Sequence, residues 1–431
     1  MSSHSPNRRQ FLQKASAVAT AGLTVPYWFT AKGALAADVT SKNDRPLVGC
    51  IGTGDRWNGL YRSIQRHGDI VAVSDVDRKH AESGREKAGG KADIYDDYRR
   101  LLDRQDVEVV SIVTPDHWHS KIAIDAMKAG KDIFCEKPLT LTIEEGKLIS
   151  KVLKETNRVF QVGTQQRTEM NRRFLTAIAM IRDGRIGKVR KVTCAIGGAP
   201  AAGPFEPMPV PPELNWDMWL GQAPMVPYTE KRCHYEFRWW YEYSGGKMTD
   251  WGAHHVDIAT WAIGADHSGP ISVGGTATHP DTPNGYNTAT EFLITCKYAD
   301  GVEMVIRHDT DNGITFEGDD GKFFVSRGDL KGKPVDELND RPLPEDAIEK
   351  LYGGKPTSHM ANFFQCVQSR KQPISDVFTH HRSITTCHLA NIAIRLGRTI
   401  HWNPETEQIV GDSEAQSWQA RDQRKGYEVV G

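Results

Sequence analysis

A surplus of charge of either sign is missing from this chain. Its 54 Lys and Arg nearly cancel its 55 Asp and Glu, leaving a net charge of −1. It therefore lacks the basic excess of a nucleic-acid or anionic-membrane binder, and a neutral substrate is expected over a highly charged one. Cysteine is sparse and unpatterned. The seven residues, Cys50, Cys135, Cys194, Cys233, Cys296, Cys366 and Cys387, contain no C-x-x-C pair. That excludes a disulfide framework and a cysteine zinc site. Cys50, Cys135, Cys194 and Cys296 fall in apolar runs, where the thiol acts as a small core residue. No internal apolar run is long enough to span a bilayer, and no internal repeat is visible. What remains is a globular chain of 431 residues, 39% hydrophobic and 25% charged, long enough for two domains.

The N-terminus has its own signal. Asn7-Arg8-Arg9-Gln10-Phe11-Leu12-Gln13-Lys14 precedes a mildly apolar stretch from Ala15 to Phe29, and Ala34-Leu35-Ala36 offers a small-x-small cleavage site. This order has the outline of a twin-arginine export signal over residues 1–37, against the plainer reading of a basic amphipathic helix. It predicts a periplasmic or otherwise exported protein that meets the twin-arginine translocase in transit. Unpaired cysteines suit a protein that folds in the reducing cytoplasm first. Residues 38–45 read as a linker.

From Pro46 to residue 165 short apolar strands alternate with helices. The strands are expected at 47–51, 70–74, 107–113 and 158–162, with a further one, Asp132-Ile133-Phe134-Cys135. The helices are expected at 59–67, 78–88, 120–128 and 143–155, the last opened by a capping box of Thr142 and Glu145. This is the pattern of a parallel, doubly wound sheet. Between residues 166 and 357 the pattern changes. A helix at 171–182 and a strand at 188–195 precede a Pro- and aromatic-rich segment and a helix at 249–263. Longer strands follow at 271–278, 288–298, 302–308, 314–317 and 322–326. Asp300-Gly301 and Asp320-Gly321 are hairpin signals between them. The expected fold is α/β: a Rossmann domain, then an α+β domain with an open, mostly antiparallel sheet. Residues 358–431 are expected to supply helices that pack back on the first domain, and a tail.

Two features carry chemistry before any family is considered. Gly52-Thr53-Gly54 follows the first strand, where paired glycines let backbone N–H groups approach a pyrophosphate. The third glycine of G-x-G-x-x-G is replaced by Trp57, so the fingerprint is imperfect. Asp75 ends the next strand, where an acid accepts from the ribose hydroxyls of NAD and disfavours the phosphate of NADP; nearby Arg78 and Lys79 keep NADP possible. Asp55, Arg56 and Trp57, directly after the glycines, complete this candidate cofactor site. The second feature is Glu136-Lys137-Pro138, a lysine directly after a buried strand, costly unless its charge is used.

Thr114-Pro115-Asp116-His117-Trp118-His119, Glu136-Lys137-Pro138 and Gly245-Gly246-Lys247-Met248-Thr249-Asp250-Trp251-Gly252-Ala253-His254 together resemble the Gfo/Idh/MocA oxidoreductases, over about residues 46–400. The resemblance implies that Lys137, Asp250 and His254 surround a nicotinamide and a sugar or polyol hydroxyl, and that Thr114, Pro115, His119 and Glu136 line the cofactor cleft. The chemistry agrees. Histidine titrates near neutrality and suits proton transfer, so His254 is expected to be the general acid/base. Asp250, four residues earlier, would share its helix face and orient the hydroxyl or the imidazole. Lys137 would stabilise a developing alkoxide. No metal is expected, because a set of Asp250, His254 and Asp257 has no second ligand cluster to support it.

Residues 198–247 are dense in aromatics, whose flat faces stack on sugar C–H groups. Arg167, His234, Arg238, Trp239 and Tyr243 are the candidate substrate contacts, and Gln165 a cofactor contact. For any single aromatic, plain core packing is the commoner role. Export adds an expectation, since free NAD is scarce outside the cytoplasm. The cofactor should be tightly held and recycled, either by oxidising one sugar and reducing another or by transient oxidation that ends in glycosidic cleavage. A non-catalytic sugar-binding protein is the third reading. An open sheet face predicts a homo-oligomer, dimer or tetramer.

Overall fold

The computed structural model describes residues 45–431; the expected export signal and nearly all of the linker lie outside the described residues. Six strands form a parallel sheet in the order β3-β2-β1-β4-β5-β6: β1 Leu47–Ile51, β2 Asp69–Ser74, β3 Asp93–Tyr95, β4 Val109–Ile112, β5 Asp132–Cys135 and β6 Phe160–Val162. The β4 run Val109-Val110-Ser111-Ile112 and the β5 run Asp132-Ile133-Phe134-Cys135 are buried throughout, as a sheet covered on both faces requires. One face packs on Ile122, Met127, Ile149 and Leu153, the other on Ile64, Met360, Phe363 and Phe364. The last three come from the helix His359–Ser369, so a late segment of the chain closes the core of the first sheet.

The strand order turns at β1/β4, which places a crevice at the carboxyl ends of β1, β2, β4 and β5, where such sheets bind ligands. β3 and the helix Tyr98–Leu102 were not expected from the sequence, because Asp93-Ile94-Tyr95 is too short to show a period. The capping box forms with a variation. Thr142 Oγ1 accepts from the Glu145 N–H at 3.3 Å, but the Glu145 carboxylate accepts from the N–H of Leu141 and from Ser120 Oγ.

The second sheet has nine strands in the order β13-β12-β11-β7-β10-β9-β8-β14-β15: β7 Val189–Ala195, β8 Ser272–Thr278, β9 Glu291–Lys297, β10 Glu303–Arg307, β11 Gly313–Gly318, β12 Lys322–Val325, β13 Leu330–Lys331, β14 Ile400–Asn403 and β15 Gln408–Ile409. Every pair is antiparallel except β7 with β10. Asp300-Gly301 turns β9 into β10, with Gly301 at φ +88°, and Asp320-Gly321 turns β11 into β12. Along β9, Phe292, Ile294 and Cys296 point inward, while Glu291, Leu293 and Lys297 are exposed. The inner face packs on the helices Arg173–Arg182, Gly252–Ala262 and Val377–Leu396.

Candidate active site

The first sheet's crevice is walled opposite by the aromatic segment of the second domain. Val76, Asp77 and Arg78 follow β2, and residues 213–215 lie against them. The Arg78 N–H donates to the Glu213 carbonyl and the Asn215 N–H to the Val76 carbonyl, both at 2.9 Å. Ile51, Gly52, Asp75, Thr114 and Lys137 line one side of the cleft, and Trp219, Phe237, Arg238 and Asp250 the other.

The residues present fit a dinucleotide. Gly52 has φ +82°, and a Cβ there would lie 2.6 Å from the Val113 carbonyl oxygen, so only glycine keeps this turn tight. Its N–H donates to the Ser74 carbonyl. Asp75 sits beside it, each carboxylate oxygen accepting one backbone N–H, from Thr53 at 2.8 Å and Asp77 at 2.9 Å. Gly54, Asp55, Arg56, Thr114 and Pro115 also line the cleft. Trp57 does not: its side chain is wholly buried in the core beneath. His119 is also set back. One ring nitrogen lies 2.9 Å from the Pro138 carbonyl and the other 2.9 Å from the Thr114 carbonyl. It ties the two turns together and is a positioning residue.

Lys137 is the centre of the site. Its Nζ donates to Asp250 Oδ1 at 2.5 Å and to the Asp250 carbonyl at 2.9 Å. Arg238 Nε lies 3.8 Å from the same carboxylate oxygen. Burial pushes Asp250 up, but Lys137, Arg238 and Lys247 outweigh it and hold the carboxyl below its ordinary value. Glu136 turns the other way. Its Oε1 accepts from Arg56 Nε at 2.8 Å and from Gln165 Nε2 at 3.0 Å.

The helix expected over 249–263 is broken into Gly246–Asp250 and Gly252–Ala262. A Cβ on Gly252 would stand 2.7 Å from Cys387 Sγ, so close packing fixes the joint. Asp250 and His254 therefore do not simply share a helix face, and no hydrogen bond joins them among the described residues. Asp250 lines the main cleft, and His254 lines an adjoining cavity with Gln165, Arg56, Trp251 and Arg327; Lys137 borders both. His254 is buried and its Nδ1 has no partner. Burial first, then the charges of Lys137 and Arg327, drive its pKa well below the ordinary value. It is a neutral base beside a fixed cation.

Several expected substrate contacts fall elsewhere. Arg167 is buried and paired with Asp257, Nε to Oδ2 at 2.7 Å and Nη2 to Oδ1 at 2.8 Å. That pair also removes Asp257 as a metal ligand beside His254. Tyr243 is fully buried against Trp219 and His117, and Trp239 is buried with its Nε1 donating to Glu236. Both belong to a twelve-residue buried cluster, so core packing accounts for them. His234 lies in the cleft, but at the Asp75–Asp77 end, where its Nε2 stands 3.3 Å from Asp77 Oδ2. Arg238 alone of this group stands beside Asp250.

Two residues had been given no role from sequence. Asp116, within the Thr114–His119 motif, accepts from Ser244 Oγ at 2.6 Å and lines the cleft; burial raises it to about 7. Arg327 follows β12, packs over the Trp251 ring at 4.5 Å and donates to Gln166 Oε1 at 3.0 Å. Ser326-Arg327-Gly328 carries no motif that could have marked it.

Comparison with known proteins agrees with this architecture. Residues 47–164 match the oxidoreductase-family profile for the NAD-binding Rossmann fold, and residues 201–429 that for its C-terminal alpha/beta domain. The chain is 32% identical over 214 residues to an alpha-N-acetylgalactosaminidase of Shewanella oneidensis, covering 43% of this chain and 45% of that protein. It is 31% identical over 152 residues to an inositol 2-dehydrogenase of Klebsiella pneumoniae, covering 34% of this chain and 44% of the relative. The matches thus span less than half the length of these curated relatives. The WlbA dehydrogenase of Chromobactrium violaceum, solved with NADH and UDP-GlcNAcA, superposes with a TM-score of 0.63 at 17% identity, covering 85% of this chain and 99% of that one; this likeness concerns the fold. The glycine turn, the lysine just past β5 and the two matched profiles place this chain in the Gfo/Idh/MocA oxidoreductase family, with its NAD-binding Rossmann domain first and its alpha/beta domain second.

Proposed function

We propose that the protein oxidises a hydroxyl of a sugar, polyol or sugar derivative, with NAD in the cleft. The observation that carries the reading is Lys137, ion-paired to Asp250 and bordering the cavity of a buried, neutral His254. Bound nicotinamide supplies a hydride acceptor. Lys137, held in place by two contacts to Asp250, offers positive charge to an alcohol oxygen that is losing its proton. His254, held neutral by burial and by Lys137, borders the adjoining cavity with its ring and is the base to take that proton. Arg238 and Arg327 offer donors to the other hydroxyls. Asp75 favours NAD over NADP. The relative named as an inositol 2-dehydrogenase supports the substrate class. The test is nicotinamide absorbance of the purified protein against a panel of sugars and polyols with NAD or NADP. No change with any pair would sink the reading.

The alpha-N-acetylgalactosaminidase relative favours a second reading, cleavage of a glycosidic bond through transient oxidation. Release of free sugar from an aryl glycoside without net nicotinamide reduction would select it. A non-catalytic sugar-binding role would require Lys137→Ala to leave both reactions unchanged.

Export by the twin-arginine pathway belongs to the same proposal, as does a cofactor that is retained and recycled. The motif around Arg8-Arg9 supports export, and the wall of residues 213–238 across the cleft supports retention. A homo-oligomer is supported by the uncovered face of the nine-stranded sheet, where Leu293 is exposed. Cell fractionation of an Arg8→Lys/Arg9→Lys variant, assay of NAD(H) released on denaturation, and light scattering test the three in turn.

A further inference from the structure

At the ribose end of the cleft, Asp77, His80 and His234 each bring one ligand atom within 4.8 Å of the other two. They come from two separate parts of the chain. Asp77 caps the helix Arg78–Lys87, with Oδ1 accepting from the N–H groups of Lys79 and His80. Its Oδ2 is left pointing at His234 Nε2, 3.3 Å away. His80 lies on the first turn of that helix, and its ring faces His234 with centroids 4.6 Å apart. His234 arrives from the segment that walls the opposite side of the cleft. Its backbone is left-handed, φ +48°, a conformation costly enough outside glycine to point to a function for the side chain it aims.

A simple imidazolium–carboxylate pair would account for Asp77 and His234. It leaves His80 outside the pair: its Nδ1 stands 3.8 Å from Asp75 Oδ2, beyond hydrogen-bond reach, while its ring converges on the same point. A divalent cation resolves all three. Two imidazoles and one carboxylate are the donor set of borderline ions such as Zn²⁺, whereas Mg²⁺ and Ca²⁺ prefer all-oxygen sites. Both rings line the cleft, so the open positions can take water or a hydroxyl.

We propose that Asp77, His80 and His234 bind a late first-row divalent cation, against the sequence expectation of no metal, and that the ion clasps the aromatic wall to the Rossmann edge. It joins the backbone contacts of residues 213–215 and the Lys79–Glu213 ion pair in holding the cleft shut over the adenosine end. The retention role rests on the reading that NAD occupies this cleft; the metal site does not.

The experiment uses the whole protein, stripped with chelator, and Zn²⁺ as the probe. Calorimetry should show one Zn²⁺ per chain. Binding should weaken at least tenfold in His80→Ala and in His234→Gln, with folding checked by circular dichroism, and Co²⁺ should give visible d–d bands that both variants lose. The NAD dissociation rate should fall several-fold when Zn²⁺ is added to wild type and not to the variants. No stoichiometric binding, or equal binding by the variants, overturns the site. Binding with an unchanged NAD dissociation rate overturns the clasp. If NAD does not bind at all, the oxidoreductase reading fails while the calorimetric arm still decides the metal.

Discussion

Lys137 and Asp250, 113 residues apart, are joined twice, once through the Asp250 carboxylate and once through its backbone carbonyl. The double contact ties the turn after β5 of the first domain to a helix terminus of the second. It also fixes the ammonium where the main cleft and the His254 cavity meet.

Removing that ammonium should cost far more in rate than in cofactor affinity. Charge aimed at a developing alkoxide acts in the transition state and not in the ground state. Lys137→Ala is expected to lower kcat by about 10²–10³-fold, with NAD affinity changed much less. Steady-state kinetics on the best substrate of the panel, with NAD titrated by fluorescence quenching, would check it. An equal loss in both quantities would mean that Lys137 is mainly a cofactor contact.

With His254 as the proposed base, the acid side of the pH profile is expected to follow its titration. Its pKa is depressed by burial, then by Lys137 and Arg327, so the neutral base persists as pH falls below the ordinary histidine range. The acid limb of kcat/KM is therefore expected below the pKa of a free imidazole. Arg327→Gln removes one of the depressing charges and should move that limb to higher pH. A limb that stays put in Arg327→Gln would assign it to another group, with Asp116, raised to about 7, the first to examine.

Much of the fold was legible because its signals are local. Runs such as Val109-Val110-Ser111-Ile112, the glycine turn after β1 and the two Asp-Gly hairpins each declare an element within a few residues. Lys137, Asp250 and His254 could be singled out because each sits in a motif. What could not be read is partnership across the chain. Arg167 looked like a hydroxyl donor because nothing within ten residues of it is its partner; Asp257 is 90 residues away. Trp239 and Tyr243 share the composition of a sugar platform, and only packing shows that they fill a core. The need for glycine at 252 comes from Cys387 of a distant helix, whose Sγ would lie 2.7 Å from a Cβ there. His234 and Arg327 find their neighbours only in three dimensions.

Arg167 now yields a stability prediction. With both partners buried and the guanidinium bound bidentately, truncation leaves Asp257 charged with only the Ser383 hydroxyl at its carboxylate. Arg167→Ala is expected to cost about 3–5 kcal/mol, read by urea denaturation. KM for the sugar in the remaining folded fraction should be unchanged. A raised KM with unaltered stability would return Arg167 to the substrate site.

The buried histidines should make the protein sensitive to acid well above the carboxylate range. Burial is the leading cause that holds His117 and His388 near about 3 and His255, His359 and His380 near about 4. Each has a folded pKa below the unfolded value of about 6.5. The stability each contributes is present above that value and is lost as pH falls toward the folded pKa, because the unfolded chain takes up protons that the native state refuses. Asp116 acts oppositely: its raised pKa favours the folded state at low pH, and it offsets one histidine. His254 and His119 are lowered in the same way and Asp75 is raised like Asp116, so a net uptake of several protons on unfolding remains, each on the order of 1 kcal/mol per pH unit between about 6.5 and 4. The urea midpoint should therefore fall steeply from pH 7 to pH 4.5, before most carboxylates protonate. His388→Asn, which removes one such group from a site lined by Asn391 and Thr142, should flatten that slope by about one proton. A midpoint constant down to pH 4.5 would mean that these imidazoles are hydrated or paired in the native state.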